Sequence, residues 1–392
     1  MAFDRSNVMI GRPGDDVDEG PATRDTTREE AEMRAGKKAT MADVAERAGV
    51  SRQTVSNVLN TPAKVLPDTR ARVEAVIAEL GYQLNSAARQ LRTQRSFVVG
   101  MCVPPAAGGI SGQVLDRFLH ALTAKAQESG LRVMLFTAAD DSAQIDQYGR
   151  LLSTKSVDGF VLTDSHPDDA RVVWLDEHHV PFVSFGRPWA SDGDTERPAA
   201  SRHAWVDVDG RAGARDVTER LMAAGHKRIV FLGWPLGSGV GDDRYAGYAA
   251  AMDAAGLDAV VVRATEGVSE GAGAAAQALD DPEVTALVAV SDALALGALS
   301  AAREMALTAP ERPQVAVTGF DNSPVAAAVD LTSVDQRTEE VASAAIDLLL
   351  PQLAPGAQVP DRTARPAAMH DADRHVLIQP RLVERASSRT DR

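Results

Sequence analysis

The stretch that most restricts what this chain can fold into is ATMADVAERAGVSRQTVSNVLN, residues 39–60. Met41, Val44, Ala45 and Ala48 recur at i, i+3, i+4 and i+7, which lays one apolar stripe along a short helix. Gly49 ends that helix, because glycine takes a positive φ without steric cost. Val50 is placed to fold back as an apolar lid. Ser51 stands at the N-cap of a second helix, where a hydroxyl satisfies free backbone N–H groups. Val55, Val58 and Leu59 fall on the inner face of that helix. Arg52, Gln53, Thr54, Ser56 and Asn57 are left for the outer side. Two short helices joined by a glycine turn make the helix-turn-helix pattern. Glutamine and asparagine pair with adenine edges, and arginine with guanine or phosphate, so the outer side has base-reading chemistry. A plain αα-hairpin with a solvated face is the alternative.

The neighbouring residues supply a third helix. After the loop TPAKVL, Pro67 suits a first helical turn, and Gly81 marks the end of a helix running to about Leu80. Val73, Val76, Ile77 and Leu80 form its stripe and are expected to close a small core with Val44, Val55 and Leu59. Leu66 occupies the position where a capping Ser or Thr would help. The charge is divided unevenly. The chain carries −14 in all, whereas residues 34–95 have 11 Lys and Arg against 5 Asp and Glu, so the remainder holds −20. A basic module on an acidic body suggests that only the module meets nucleic acid. Residues 1–36 are polar and charged, too poor in apolar groups to offset ordering entropy, and read as a disordered arm. Met33 is an alternative translation start.

From Phe97 the texture changes. Apolar runs at 97–103, 132–136, 159–163 and 181–185 alternate with helical stretches, and a second set follows at 228–233, 259–263, 286–290 and 314–320. Helices are expected at 210–224, 244–255, 292–306 and 337–350, and HVLIQP at 375–380 reads as a final strand. Strands alternating with helices imply parallel sheets. Two doubly wound lobes fit this count. Ligands of such sheets bind beyond the carboxyl ends of the strands. That rule selects Asp164 after FVLT, Arg187 after SFG, Ser291 and Asp292 after VAV, and Asp321 after TGF. Trp189, Trp205 and Trp234 are notable in a chain that is 4% aromatic; a sugar face or ordinary packing would use them.

The single cysteine, Cys102, excludes an internal disulfide and fits a reducing cytoplasm. There is no run of about 18 apolar residues to span a membrane, and the N-terminal residues lack the apolar core of a secretory signal. GxSxG, GxxxxGK[ST] and HExxH are absent. No enzyme activity, cofactor or metal site is expected. His226 reads as structural.

DVAERAGVSRQTVSNVLN at 43–60 and TRARVEAVIAELGYQLNSAARQL at 69–91 resemble the DNA-binding headpiece of the LacI/GalR family of bacterial transcription regulators, and the rest of the chain matches more loosely. The resemblance implies a small all-α helix-turn-helix headpiece at 37–84 and a hinge helix at 85–96. An α/β two-lobed domain of the type I periplasmic-binding-protein kind, with parallel sheets, would occupy 97–380, and a tail 381–392. Lobe 1 would take about 97–206 and 336–355, and lobe 2 about 207–335 and 375–380. The chain would cross between lobes near 206–209, near 334–337 and within 355–375. The resemblance also implies function: a repressor of carbohydrate genes, homodimeric on near-palindromic operator DNA and controlled by a sugar-like effector. The hinge segment NSAARQLRTQRS, with Asn85 as its N-cap, would fold on DNA, with Leu91 wedged into the minor groove and Asn85 and Ala88 among the DNA-binding residues; a plain basic linker is the alternative. Arg244, in DDRYAGY, resembles the family arginine aimed at sugar hydroxyls or an acid group; a surface arginine at a helix start is the alternative. Asp321 resembles the carboxylate that accepts sugar hydroxyls. Many members have Asn where this chain has Ser291, and Asp292 suits a helix cap equally well. The C-terminal end has no leucine heptad, so a dimer is expected rather than a tetramer.

Overall fold

The computed structural model describes residues 39–60, 64–82, 95–103, 112–189, 203–353, 368–371 and 374–389. The arm at 1–36 and most of the hinge segment, with Asn85, Ala88 and Leu91, lie outside these residues. The chain divides into two compact units, residues 1–89 and 90–392.

The first unit is three helices: α1 (Met41–Ala48), α2 (Arg52–Asn60) and α3 (Pro67–Leu80). A capping box starts α1. The Asp43 N–H donates to Thr40 Oγ1 at 3.4 Å, and the Thr40 N–H donates to Asp43 Oδ2 at 2.7 Å, so two orphan donors are satisfied reciprocally. Gly49 ends α1 at φ 64°, a left-handed conformation in which a side chain would be strained. That turn lets the Val50 N–H bond Ala45 O at 3.0 Å. Ser51 Oγ then accepts from the Thr54 N–H at 3.0 Å and begins α2. Val44, Val55 and Val73, none with any exposed surface, meet at the centre, and Met41, Val50, Leu59, Ile77 and Leu80 pack around them. Pro67 opens α3, and Leu66 gives it no side-chain cap.

The second unit is two lobes, each a sheet covered by helices. The strands and helices alternate as β1 (Val98–Cys102), α4 (Gln113–Glu128), β2 (Arg132–Phe136), α5 (Asp141–Ser153), β3 (Gly159–Leu162), α6 (Ala170–Glu177), β4 (Phe182–Phe185) and β5 (Ala204–Val208). The chain continues through α7 (Gly210–Ala223), β6 (Ile229–Gly233), α8 (Val240–Ala254), β7 (Val260–Arg263), α9 (Val268–Leu279), β8 (Ala286–Ala289), α10 (Asp292–Thr308), β9 (Ala316–Phe320) and α11 (Pro324–Ala328). It ends with β10 (Thr332–Asp335), α12 (Thr338–Leu353), β11 (Ala368–Asp371), β12 (His375–Ile378) and β13 (Arg381–Val383). Lobe 1 holds the sheet β11-β12-β5-β4-β3-β1-β2, and lobe 2 holds β13-β10-β9-β8-β6-β7. Pairing is parallel except for β11 with β12 and β10 with β13. Central strands such as β6 and β8 are buried along their whole length, which is why they read as unbroken apolar runs. In lobe 1, α4 and α12 cover one face through Phe118, Leu122, Ile346 and Leu349. Tyr148 and Leu175 of α5 and α6 cover the other. In lobe 2, one core gathers α7, α8, α9 and α10 around Phe231, Tyr248 and Leu294. No described helix is long and apolar enough to cross a membrane.

Three features depart from the sequence reading. The final apolar strand, β12, pairs with β5 in lobe 1 rather than joining lobe 2. The third crossing therefore falls at Gln379–Pro380 instead of within 355–375. β5 also runs to Val208, so lobe 1 extends two residues beyond its expected border. Residues 381–389 are no tail: β13 pairs with β10 and completes lobe 2. Ser387 Oγ donates to Val317 O at 2.6 Å, and Arg385 Nη1 donates to Leu331 O at 2.7 Å. A three-residue strand in which only Leu382 and Val383 are partly buried leaves no periodic signal.

Candidate functional site

Two surfaces carry recognition chemistry, one in each unit. On α2, Val55 and Val58 are buried, while Arg52 and Gln53 are exposed and Thr54, Ser56 and Asn57 are partly exposed. Gln53 Nε2 donates to Asn57 Oδ1 at 3.0 Å, one helical turn apart. The pair is thus aligned along the outer face of the second helix, the edge that enters a major groove in this motif.

The second surface is a cavity of about 580 Å³ between the lobes. Its walls come from chain segments far apart in sequence, brought together at the ends of β3, β4, β6, β7, β9 and β10. Lobe 1 contributes Asp164, Phe185, Arg187, Trp189 and Asp207; lobe 2 contributes Trp234, Asp243, Arg244, Glu266 and Asp321, with Gln336 at the crossing.

Arg244 lies in the second turn of α8, which begins at Val240, four residues before the helix start read from sequence. It is 4% exposed, so the surface alternative fails. Gly247 lets α8 approach α7 so closely that a Cβ there would collide with the main chain of Arg211. The Arg244 guanidinium carbon sits 3.6 Å from the Phe320 ring centroid and 5.7 Å from that of Trp234. Nη1 donates to Val290 O at 2.6 Å and lies 3.8 Å from Asp321 Oδ1. Nε is buried without a hydrogen-bond partner. Burial lowers the pKa of Arg244 from its ordinary value, with Asp321 opposing the shift.

Asp321 takes φ 117°, a strained value for a residue with a side chain. It accepts from Gln336 Nε2 at 2.6 Å. Burial pushes its carboxyl up to about 7; Arg244 pulls against that, while Asp292 adds to it.

Arg187 spans the lobes. Its Nε donates to Asp207 Oδ2 at 2.8 Å in lobe 1, and Nη2 donates to Asp243 Oδ2 at 2.8 Å in lobe 2. Burial disfavours its charge, but Asp207 and Asp243 outweigh burial and its pKa rises. Asp243 moves up through burial, and its Oδ1 has no hydrogen-bond partner. Trp189 is 5% exposed. The Arg187 guanidinium carbon is 4.8 Å from its ring centroid, and the Gly239 backbone lies against the same ring, while its Nε1 is unbonded.

The six effector candidates therefore divide. Arg244, Asp321, Arg187 and Asp164 line the cavity; Ser291 and Asp292 do not. Ser291 caps α10 and stands behind the wall, its Oγ donating to Glu266 Oε2 at 2.8 Å. Asp292 is fully buried and turned away, accepting from the Ser323 N–H at 2.7 Å and from Ser333 Oγ at 2.6 Å. Its work is to hold the loop after β9. Glu266 was missed although it follows the apolar run 259–263. Its Oε2 also accepts from Trp234 Nε1 at 2.6 Å. Asp207, Asp243 and Gln336 were missed as well. Asp207 points in from within a strand, and Asp243 was hidden beside Arg244 in DDRYAGY. Trp205 is no wall residue; it stacks on His375 with centroids 4.7 Å apart. His226 is buried, and its Nδ1 is 2.9 Å from Thr285 Oγ1.

Among the described residues, one cluster has metal-ligand geometry: Asp141, His166 and Asp169. A guanidinium already supplies its positive charge. Arg171 donates to both Asp169 oxygens, at 2.8 and 2.6 Å, and lies 3.4 Å from Asp141.

Comparison with known proteins gives a consistent neighbourhood. Residues 40–85 match the family described as bacterial regulatory proteins, lacI family, and residues 218–388 match the periplasmic binding protein-like domain. The HTH-type transcriptional regulator CelR of Thermobifida fusca is 35% identical over 319 residues, spanning 78% of this chain and 89% of CelR. A solved CelR–cellobiose complex superposes with a TM-score of 0.61 at 30% identity, covering 89% of this chain and 99% of that one. The lac repressor dimer bound to operator and the anti-inducer ONPF gives a TM-score of 0.65 at 25% identity, covering 90% and 99%.

Proposed function

Because the chain belongs to the LacI family of bacterial regulatory proteins, we propose that it is a sequence-specific DNA-binding repressor whose operator affinity is set by a neutral sugar held between its lobes. The observation that carries the sugar reading is the cavity itself. At about 580 Å³ it falls within the range of small-molecule sites, about 300–1,000 Å³. Its lining has polar groups of both kinds: the guanidiniums of Arg187 and Arg244 to donate, and the carboxylates of Asp164, Glu266 and Asp321 to accept. A hydroxyl both donates and accepts, so a polyol satisfies such a wall where a purely anionic or purely cationic ligand does not. Asp164, Asp207, Asp243, Glu266 and Asp321 face Arg187 and Arg244. A sugar phosphate or uronate entering this excess of carboxylates is repelled. CelR was solved with cellobiose, and β-linked glucose disaccharides head the ligand panel for this chain.

On the DNA side, Gln53 and Asn57 are assigned to base edges, and Arg52, Thr54 and Ser56 to bases or phosphates. Leu91 keeps the minor-groove assignment, and Asn85 and Ala88 the DNA-binding role, that the resemblance implies. Two headpieces on a near-palindrome supply the specificity one cannot, so the working unit is a homodimer. The competing reading is a sugar-modifying enzyme. It needs an acid and a base free to act across the cleft, where Asp207 and Asp243 both bind Arg187 and Asp321 accepts from Gln336; recovery of the sugar intact separates the two readings.

The test has two stages. An operator is selected from random duplexes, and its affinity is measured by fluorescence anisotropy with and without each neutral sugar and sugar phosphate. One neutral sugar is expected to change operator affinity and to be recovered intact. If only phosphorylated sugars act, or if the sugar is consumed, the reading is wrong.

A further inference from the structure

The loop after β9 is held from two sides. Asp321 and Asn322 both have left-handed φ, 117° and 49°. Lobe 2 fixes their amides and one side chain. The Asp321 N–H donates to Val334 O at 2.7 Å, the Asn322 N–H to Ser333 Oγ at 2.9 Å, and Arg385 Nη2 to Asn322 Oδ1 at 2.6 Å. Their two carbonyls are taken by the other lobe. Arg117, on α4 of lobe 1, donates from Nη1 to Asp321 O and Asn322 O, each at 3.2 Å. Its Nη2 is 3.7 Å from Asp335 Oδ1 and 3.5 Å from Glu339 Oε1, the residues on either side of the second crossing between lobes. Arg117 is not among the residues lining the cavity.

We propose that Arg117 is a positioning residue for the effector site: it latches lobe 1 to the main chain that carries the Asp321 carboxylate, so one side chain sets both the lobe angle and the aim of that carboxylate. A main-chain carbonyl is a fixed target, unlike a carboxylate on a flexible stem. Two carbonyls in succession on one guanidinium nitrogen constrain the loop relative to α4. When the lobes part, both bonds break together, and the Asp321 main chain loses its hydrogen bond from α4. The role of Asp321 toward a sugar rests on the function proposed above; the latch rests on the geometry alone.

The test is inter-lobe distance in the full-length, ligand-free protein. Cys102→Ser removes the native thiol, and Val173→Cys in lobe 1 with Leu307→Cys in lobe 2, 55% and 85% exposed, take spin labels. Singly labelled proteins identify distances between subunits. Adding Arg117→Ala is expected to move the inter-lobe distance distribution to longer values and broaden it. Arg117→Lys, which keeps one ammonium for the carbonyls, restores most of the parent distribution. Glu339→Gln, which removes only an exposed partner, leaves it unchanged. An unshifted Arg117→Ala distribution overturns the latch, as does Glu339→Gln reproducing its effect. Circular dichroism identifies a variant that has not folded, and in that event Arg117→Lys and Arg117→Gln carry the comparison. In a parallel titration followed by tryptophan fluorescence, cellobiose binding is expected to weaken about tenfold in Arg117→Ala, the scale of ordinary coupling between sites. A parent protein that does not bind cellobiose counts against that sugar, while the spin-label distances still decide the latch.

Discussion

The outer side of α2 and the cleft between the lobes, proposed above to recognise DNA and effector, are both polar, yet they are stabilised in opposite ways. On α2 the polar side chains stand in water, and their backbone is fixed by local devices: the Ser51 cap, the Gly49 turn and three buried valines. Removing one polar group there changes what is recognised and little else. In the cleft, charges are buried and depend on one another. Arg187 is held between Asp207 and Asp243, Arg244 lies under Asp321, and Asp321 is supported by Gln336. A buried charge that loses its partner is costly, so a change there spreads to stability and lobe arrangement as well as to binding. The lesson is that the outer side of α2 is free to vary position by position, whereas the cleft varies as a unit.

Four measurements test this contrast. The largest effect is expected at the inter-lobe ion pair. Arg187→Ala leaves Asp207 and Asp243 buried without their guanidinium and should cost about 3–5 kcal/mol of stability, read by chemical denaturation. A loss below about 1 kcal/mol would mean that water replaces the arginine and that the pair does not tie the lobes.

Next come the recognition residues. Gln53→Ala or Asn57→Ala should cost about 1–3 kcal/mol of operator affinity and relax selectivity, with the melting temperature unchanged. Their side chains bond each other in the absence of DNA, so the double variant is expected to lose less than the sum of the two. Equal losses on operator and random DNA would show that they do not read bases.

Third is pH. Asp321 titrates near 7 in the folded protein against its ordinary 3.8. Between those values the folded state holds a proton that the unfolded state has released, so this group's contribution to stability falls as pH rises through the window. Asp321→Asn removes that dependence. The melting-temperature difference, variant minus parent, should be more positive at pH 8 than at pH 4.5; an equal difference at both would refute the assignment.

The smallest effect is local. Thr40→Ala removes the α1 cap and should cost the headpiece about 1 kcal/mol, without altering effector binding by the second unit. A change in sugar affinity in that variant would break the contrast.

The same contrast explains what was legible in the sequence. The headpiece devices read from the sequence lie within a few residues of what they act on. Ser51 caps three residues on, Gly49 turns one helix into the next, and the stripe around Val44 repeats at the helical period; the Thr40 cap was not read. The parallel strands were equally plain, since burial on both faces writes an unbroken apolar run. The cleft was legible only where one rule applied, the strand end. That rule placed Asp164, Arg187 and Asp321 on the wall, and the family resemblance placed Arg244 there. It gave no means of telling an inward carboxylate from one such as Asp292, turned back to hold Ser323 and Ser333. Glu266 sits beyond its strand by the same rule, but only the three-dimensional arrangement shows that Trp234 and Ser291 converge on it. Edge strands of three or four residues, such as β11 and β13, are too short to show a period, and so the ownership of the last crossing could not be read.

The closure of lobe 2 by β13 has a consequence for how the protein is made. Residues 381–388 pair with β10 and bond the main chain at Val317 and Leu331, so lobe 2 lacks a sheet edge until they are synthesised. The headpiece has its own core within residues 41–82. Translation proceeds from the N-terminus and domains fold as units while it does. On the ribosome, the part that reads DNA is therefore complete long before the part that governs it. During every round of synthesis there is an interval in which a DNA reader exists without its sensor.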